Sequence, residues 1–189
     1  MIINDNKSLR VPFPQSYWVV PGELLAGYYP GDLDTVKMEE KLKGLLWVKI
    51  RYIINLMEEN ERRRFGDPFP SYENAITRYA RRTGASITCV RRPIKDRTAP
   101  TPEYMRNVLN ETDHAISQGK PVYVHCWGGK GRAGTVVGCY LARHGYAQGQ
   151  DVLDLVEKLR HNDPEVDHPS PETRQQRDMV TNWQKGAKQ

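Results

Sequence analysis

The chain has 189 residues, 38% of them hydrophobic and 27% charged, which predicts one globular domain over residues 1–189. It has no run of about 18 apolar residues and no leader-like start, so we expect a cytoplasmic protein with no membrane span. Its three cysteines are an odd number, so we expect no disulfide framework. The formal net charge of +5 favours anionic partners, but the arginine clusters lie among acidic residues and no nucleic-acid motif is present, so we expect no nucleic-acid partner.

The first half of the chain alternates strand and helix signals. Two apolar runs on either side of the turn Pro21-Gly22 predict a β-hairpin. A helical pattern follows Asp34, and later runs of β-branched residues predict strands. The expected elements after the hairpin are a helix ending at Leu46, a buried strand at 49–56, a helix at 72–83 and a strand at 85–90.

The second half begins with a loop at 92–101 and a helix that Thr101 caps, with Pro102 in its first turn. The further expected elements are a strand at 121–124, a glycine-rich loop, helices at 136–142 and 150–160, and a helix starting at Ser170-Pro171-Glu172. Residues 1–15 are expected to be irregular and 185–189 frayed. Alternating strands and helices predict an α/β domain with a central, mostly parallel sheet flanked by helices.

The most informative segment is the loop His125-Cys126-Trp127-Gly128-Gly129-Lys130-Gly131-Arg132. Its three glycines allow the backbone to curl with its N–H groups pointing inward, and the following helix adds its positive end, which suits a phosphate group. A cysteine in that field is expected to have its pKa lowered from about 8.5 toward roughly 3.5 to 7.5. Arg132 supplies a planar fork of donors for two phosphoryl oxygens. The loop therefore predicts a thiolate nucleophile inside a phosphate cradle.

This Cys-x5-Arg interval, preceded by His125 and set between a strand and a helix, resembles the cysteine-dependent protein tyrosine phosphatases. The resemblance is to the compact dual-specificity branch, including bacterial members with a His-Cys-Trp-Gly-Gly loop, and it is close over 52–183. It implies a tyrosine-phosphatase-like fold, a phosphocysteine intermediate on Cys126 and stabilisation of the transferred phosphoryl group by Arg132. It also implies an upstream aspartate that protonates the leaving oxygen, and neither a metal nor another cofactor.

Asp96 is the expected general acid. It lies 30 residues before Cys126, on a loop between a strand and a helix that could close over a leaving group. The alternative is a solvated carboxylate that pairs with Lys95 or Arg97. Two other aspartates are weaker candidates, since one lies within a predicted helix and the other in a proline-rich loop; these are Asp113 and Asp67.

Residues around the loop are expected to support it. His125 is expected to orient the loop through hydrogen bonds. The resembling family usually has Ser or Thr directly after the arginine to assist departure of the sulfur, whereas here Ala133 follows and Thr135 comes two residues later. Breakdown of the intermediate is therefore expected to be slow. Gln175 and Gln176 resemble a segment that positions the hydrolytic water in some members, and a plain surface helix is the alternative.

The substrate class depends on the pocket walls. Lys130 resembles a cation that reads additional phosphates in lipid phosphatases, whereas Trp127 could line the pocket against a phenyl ring or pack over the loop. We expect a monomer that acts on phosphotyrosine with broad tolerance, in a phosphorylated protein or a small phosphomonoester. Inositol phosphates or phosphoinositides, and a phosphate-binding pseudophosphatase, are the alternatives. Pocket depth depends on loops near three aromatic residues, Tyr28, Phe65 and Phe69.

Two further patterns leave alternatives open. Residues 129–134 also satisfy Gly-x-Gly-x-x-Gly with Asp154 twenty residues later, as in dinucleotide-binding folds, but that acid lies within a helical stripe. Cys139 is expected in the core, and Cys89 either packs there or forms a disulfide with an oxidised Cys126, as in some relatives. Asn55 matches an element of the compact branch that holds backbone groups near the loop.

Overall fold

A five-stranded sheet runs through the computed structural model, which describes residues 10–186. The predicted irregular and frayed ends fall partly outside this range, at 1–9 and 187–189. The elements are β1 (Ser16–Val20), β2 (Leu24–Gly27), α1 (Thr35–Trp47), β3 (Tyr52–Asn55), α2 (Glu73–Arg82), β4 (Thr88–Arg91), α3 (Pro102–Ser117), β5 (Val122–His125), α4 (Gly131–Arg143), α5 (Gln150–Leu159) and α6 (Arg174–Thr181).

The strand order is β1-β2-β5-β3-β4, and only the β1–β2 hairpin is antiparallel. The predicted α/β fold with a mostly parallel central sheet is therefore confirmed. β5 lies in the middle of the sheet, and its last residue, His125, pairs with Gly27 on one side and Asn55 on the other. Because the carboxyl ends of β2, β3 and β5 meet at one edge, the loop after β5 starts deep in the molecule.

Helix α4 follows that loop and is buried along its whole length. It packs against α3, α5 and α6 and against the inner strands β2 and β5. Its small residues, such as Ala133 and Gly134 in the first turn, permit this close approach, and its aliphatic residues join the apolar core. The N-terminus of α4 is consequently held by packing on several sides.

Four element starts differ from the sequence expectation by three residues or more, among them that of β4, which begins at Thr88 instead of 85. Strand β3 starts at Tyr52 instead of 49, since Lys49 adopts a positive φ of 66° where the chain leaves α1. Helix α4 starts at Gly131, so the loop arginine belongs to its first turn. Helix α6 does not start at Ser170 but at Arg174, because the Thr173 side chain caps it and Gln176 completes a capping box.

The dinucleotide and disulfide alternatives do not fit this architecture. Asp154 lies within α5 and accepts a hydrogen bond from Gln150, so it does not end a second strand as a ribose-binding acid would. Cys89 on β4 is in register with Ile53 and, one strand further, Tyr123. Two strand spacings separate β4 from β5, which is about 10 Å and exceeds the Cα separation that a disulfide permits. Cys126 lies still further from Cys89, because it follows the end of β5.

Burial keeps the side chains of the other two cysteines, Cys89 and Cys139, in the protonated thiol form. It raises the pKa of Cys89 to about 12 and that of Cys139 well above its usual range, so neither is a thiolate near neutral pH. Cys139 lies in the core of α4, as expected. Within residues 10–186, no helix is long and apolar enough to cross a bilayer.

Candidate active site

Cys126 lies directly after β5, at the base of a cavity of about 310 Å³. The cysteine is only 3% exposed. Backbone N–H groups of Gly129 and Ala133 donate hydrogen bonds to its sulfur. The loop therefore has the inward-pointing backbone donors that a phosphate cradle requires.

One glycine of the loop is sterically required. Gly129 has a φ of 71°, and a Cβ there would lie 2.5 Å from the carbonyl carbon of Gly27 and 2.8 Å from the nitrogen of Tyr28. A side chain at this position would push the loop away from the end of β2. A Cβ on Gly131 would meet the ends of the Glu172 and Gln176 side chains, which would have to move.

The environment of Cys126 does not lower its pKa as the sequence analysis expected. Burial raises the pKa of the thiol above its ordinary value, while Arg132 and the N–H groups of Ala133 and Gly129 act in the opposite direction, and the Glu172 carboxylate raises it further. The expected lowering of the Cys126 pKa is therefore wrong. It considered the hydrogen-bond donors of the loop but neither the complete burial of the sulfur nor the Glu172 carboxylate.

Arg132 is enclosed by acceptors, with 2% of its side chain exposed. Its Nη1 donates to a Glu61 carboxylate oxygen and, at 3.1 Å, to the carbonyl oxygen of Ile94, while Nη2 donates to Glu61 at 3.0 Å. Asp96 lies 3.1 Å from Nη2. Burial acts to lower the pKa of Arg132, but the hydrogen bond to Glu61 together with the negative charges of Cys126, Glu61 and Asp96 outweighs it and raises the pKa. The guanidinium is therefore fixed and charged, and its buried Nε has no hydrogen-bond partner among the described residues.

Glu61 is a site residue that the sequence analysis did not identify. It precedes Arg132 by 71 residues, on the loop between β3 and α2, and it accepts a further hydrogen bond from the Glu58 N–H at 2.7 Å. Residue type and spacing carry no signal for it, because it is one of three glutamates within 58–61 and the other two are exposed.

Asp96 lies where the sequence analysis expected an acid loop, between β4 and α3. A turn closed by the Thr98 N–H and hydroxyl on the Lys95 carbonyl presents it at the cavity wall, with 51% of its side chain exposed. It pairs with Arg132 and with neither Lys95 nor Arg97. The rival aspartates are engaged elsewhere, Asp113 with Arg143 and His144 and Asp67 with Arg63.

His125 is fully buried and hydrogen-bonded at both ring nitrogens. Nδ1 lies 3.1 Å from the Cys126 carbonyl oxygen and Nε2 lies 2.7 Å from the Tyr72 hydroxyl. Burial lowers the pKa of His125 to about 4, so the ring is neutral at physiological pH. Because a carbonyl only accepts, Nδ1 carries the proton and Nε2 accepts from Tyr72. The ring thereby links the start of the loop to α2.

Aromatic residues form one wall of the cavity. Trp127 is 36% exposed, lines the cavity and also contacts Phe69 edge to face at 5.5 Å. Tyr28 lines the same cavity. Phe69 contacts Tyr29 as well. Phe65, in contrast, is 90% exposed and is not among the residues that line this cavity, so it does not set its depth.

The remaining loop residues are tied to distant segments. Lys130 pairs with Glu165, and the Lys130 carbonyl accepts a hydrogen bond from the Ser170 hydroxyl at 2.9 Å. Asn55, expected to hold backbone groups nearby, is buried and accepts from the Met57 N–H at 2.9 Å. The catalytic loop is thus connected to the segment before α6.

Thr135 and Gln176 are buried next to the loop but have other hydrogen-bond partners. The Thr135 hydroxyl donates to the Gly131 carbonyl at 2.7 Å, one turn back in α4. Gln176 accepts from the Thr173 N–H and donates to the Thr98 carbonyl at 3.1 Å, so it connects α6 to the acid loop. Gln176 is completely buried on the inner side of α6, whereas Gln175 is exposed.

No group of three or more His, Cys, Asp or Glu side chains suited to a metal ion occurs within the part of the chain that the structure describes. The charged groups around the cavity are Asp96, Arg97, Lys130, Arg132, Glu165 and Glu172. Chemically, the arrangement combines a sulfur nucleophile, an anion cradle and a nearby carboxyl group.

Residues 14–185 match a family described as PTP-SAK, the Swiss Army Knife protein, DSP-PTPase phosphatase domain. Among solved structures, Tk-PTP in its active form is 21% identical, with 90% of this chain and 97% of that chain covered and a TM-score of 0.67. PTPMT1 in complex with PI(5)P is 19% identical, with 89% and 94% covered and a TM-score of 0.61. TpbA of P. aeruginosa in complex with pTyr is 15% identical, with 93% and 88% covered and a TM-score of 0.63.

At these identities the solved structures establish a shared fold, and the family match extends over nearly the whole of the described chain. The predicted tyrosine-phosphatase-like architecture is confirmed. The chain therefore belongs to the PTP-SAK family of dual-specificity-type tyrosine phosphatase domains and is a phosphatase.

Proposed function

We propose that this phosphatase hydrolyses phosphomonoesters through a phosphocysteine at Cys126. The Cys126 thiol, whose pKa burial raises, first loses its proton to solvent. The thiolate then attacks phosphorus, an S–P bond forms, the bond to the leaving oxygen breaks, and the Asp96 carboxylic acid gives that oxygen its proton. Water then attacks phosphorus, the S–P bond breaks, and the Asp96 carboxylate takes a proton from the water. The products are the alcohol or phenol, inorganic phosphate and the regenerated thiolate.

The observation that carries this proposal is the arrangement of three groups around one cavity. Cys126 receives two backbone N–H groups of the loop, and Asp96 lies 3.1 Å from the same guanidinium that would hold the phosphoryl oxygens. An arriving phosphate dianion would compete with the Asp96 carboxylate for Arg132 and so free that side chain to face the leaving oxygen. Glu61 would keep the guanidinium in place during this exchange.

Phosphotyrosine is the substrate that these cavity walls support best. Trp127 and Tyr28 supply aromatic surface against which a phenyl ring could pack, and the relative TpbA was solved with pTyr. We also propose tolerance of phosphoserine and phosphothreonine. We propose a monomer acting on phosphorylated protein or small phosphate esters in a reducing, cytoplasmic setting, which the free thiols favour.

Inositol phosphates and phosphoinositides are the second candidate class. Lys130 lies within the loop and could bind an additional phosphate, and the relative PTPMT1 was solved with PI(5)P. The pairing of Lys130 with Glu165 counts against this class, since it removes the free cation that a second phosphate would need.

A substrate panel tests the proposal. Phosphate release is measured from a phosphotyrosine peptide, a phosphothreonine peptide and inositol phosphates, with the wild type and with Cys126→Ser. We expect the highest kcat/KM on phosphotyrosine, no turnover by Cys126→Ser, and retained phosphate binding by that variant, because the backbone donors and Arg132 remain. A chelator should not reduce the rate. Wild-type release no higher than that of Cys126→Ser would contradict the mechanism and favour a phosphate-binding pseudophosphatase.

A further inference from the structure

Lys130 is the cation inside the Cys-x5-Arg interval, and a carboxylate from a separate loop covers it. Its Nζ bonds directly to Glu165, with 12% of the Lys130 side chain and 48% of the Glu165 side chain exposed. The hydrogen bond from Lys130 lowers the pKa of Glu165, so the carboxylate stays ionised at neutral pH. Both residues line the cavity that contains Cys126. A positive charge at the cavity wall is therefore neutralised by the protein itself.

The loop that carries Glu165 is held by a buried arginine. We call residues 161–170 the Arg160 loop. The Arg160 side chain is fully buried and donates to the His168 carbonyl at 3.0 Å, to Asp163 at 3.1 Å and to the Glu165 carbonyl at 3.3 Å. Asp163 in turn accepts from the Glu165 N–H at 2.9 Å. The backbone of Glu165 is thus bonded at both its N–H and its carbonyl, independently of the contact with Lys130.

Glu165 also lies where two cavities meet. A second cavity of about 510 Å³ shares Tyr28 and Glu165 with the catalytic one and has Asp32, Lys37 and Lys41 on its walls. A substituent next to the scissile phosphate of a substrate would pass Glu165 to enter this space. If that substituent were a second phosphate, it would meet a negative charge and a lysine that already has a partner.

We propose that Glu165 is a specificity-determining residue that excludes substrates with a second phosphate adjacent to the scissile one and directs the enzyme to singly phosphorylated substrates. The proposal rests on the function proposed above for Cys126. Discrimination here comes from a repulsive group at the site, which rejects the wrong substrate without any added contact to the correct one.

Glu165→Gln tests this by removing the charge while keeping the shape of the side chain. The measured quantity is the ratio of kcat/KM for an inositol bisphosphate with phosphates on adjacent ring carbons to kcat/KM for a phosphotyrosine peptide. We expect this ratio to rise about tenfold, mainly through a lower KM for the bisphosphate, since Lys130 gains one charge-assisted contact. The gain should shrink as salt is added, because the new contact is partly exposed. Glu165→Ala, assayed in parallel, should give the same rise.

Two controls separate the local effect from overall charge. Asp167→Asn removes a negative charge from an exposed position of the same loop and should leave the ratio at the wild-type value. In a Lys130→Met background, Glu165→Gln should raise the ratio less than it does in the wild-type background, because only the repulsion is relieved and no cation is released. An unchanged ratio in Glu165→Gln and Glu165→Ala, or an equal rise in Asp167→Asn, overturns the proposal while phosphotyrosine turnover still supports the proposed function. Absence of turnover by the wild type would instead overturn the proposed function itself.

Discussion

The catalytic loop, residues 126–132, and the acidic rim around it, Glu61, Asp96, Glu165 and Glu172, differ in how the fold holds them. The loop is short, buried and bonded to the elements on which it lies, with His125 before it and α4 after it. The rim residues come from three loops, with Glu165 and Glu172 both between α5 and α6, and Asp96 is 51% exposed. The loop supplies the sulfur and the phosphate cradle, and the rim carboxylates determine the charge around the cavity.

In this arrangement, carboxylates occupy positions beside the cations that would bind a phosphoryl group. Glu61 and Asp96 contact Arg132, and Glu165 contacts Lys130. A substrate phosphate must therefore compete with these protein carboxylates for Arg132 and Lys130. From this contrast we expect the nucleophile and the phosphate cradle to serve every substrate. Selectivity among substrates and the pKa of the Cys126 thiol should depend on the rim carboxylates.

The largest effect is expected from removing the rim residue closest to the chemistry. Asp96→Asn should lower kcat on an alkyl phosphate by about 10²- to 10⁴-fold, and much less on an aryl phosphate whose leaving group needs little protonation. Steady-state assays on the two substrates provide the comparison. Asp67→Asn, a loop aspartate paired with Arg63, is the matched control and should leave both rates unchanged. Equal losses on both substrates would remove Asp96 as the general acid.

A smaller effect is expected where the rim supports the loop. Glu61→Ala leaves the buried Arg132 without two of its hydrogen bonds and should reduce the free energy of unfolding by about 1–3 kcal/mol. It should also raise KM, because the guanidinium is no longer fixed, and Glu61→Gln should partly restore both. Urea denaturation and kinetics measure the two quantities. The neighbouring exposed Glu59→Ala is the control, and the same loss of stability in both variants would argue against a specific role for Glu61.

The smallest effect concerns the pKa of the nucleophile. Burial raises the pKa of Cys126, and the Glu172 carboxylate adds to that rise. Glu172→Gln removes the negative charge, so the thiolate becomes easier to form and the pKa of Cys126 falls. The pH midpoint of Cys126 alkylation by iodoacetamide, followed by peptide mass spectrometry, should move to lower pH. Asp151→Asn, in the exposed first turn of α5, should not move it, and an upward shift in Glu172→Gln would refute the electrostatic argument.

The difference between loop and rim also explains what the sequence could predict. Cys126, Arg132 and the glycines lie within one short segment, so their joint geometry follows from local rules about strands, tight turns and helix ends. Asp96 could be located because it lies on the loop that precedes α3. The mostly parallel character of the sheet followed from the same kind of reasoning, since each inner strand is followed by a helix.

Glu61 and Glu165 could not be predicted in the same way. They contact the loop across 71 and 35 residues, and nothing in their own sequence context distinguishes them from exposed glutamates. The raised pKa of Cys126 was missed for the same reason, since it depends on burial and on acids that only the tertiary structure brings close. The start of α6 was misplaced because Ser170 bonds to the Lys130 carbonyl instead of capping a helix.

The central claim is that the phosphoryl group is transferred to the sulfur of Cys126 before water releases it. Trapping this phosphocysteine intermediate tests the claim most directly. The wild type is mixed with a phosphotyrosine substrate, quenched within the first turnover and digested for mass spectrometry. We predict one phosphoryl group on the peptide that contains Cys126, absent in Cys126→Ser and shorter-lived in Ala133→Thr, whose hydroxyl would assist departure of the sulfur. Continued turnover with no phosphoryl group on Cys126, or with the group on another residue, would contradict the account.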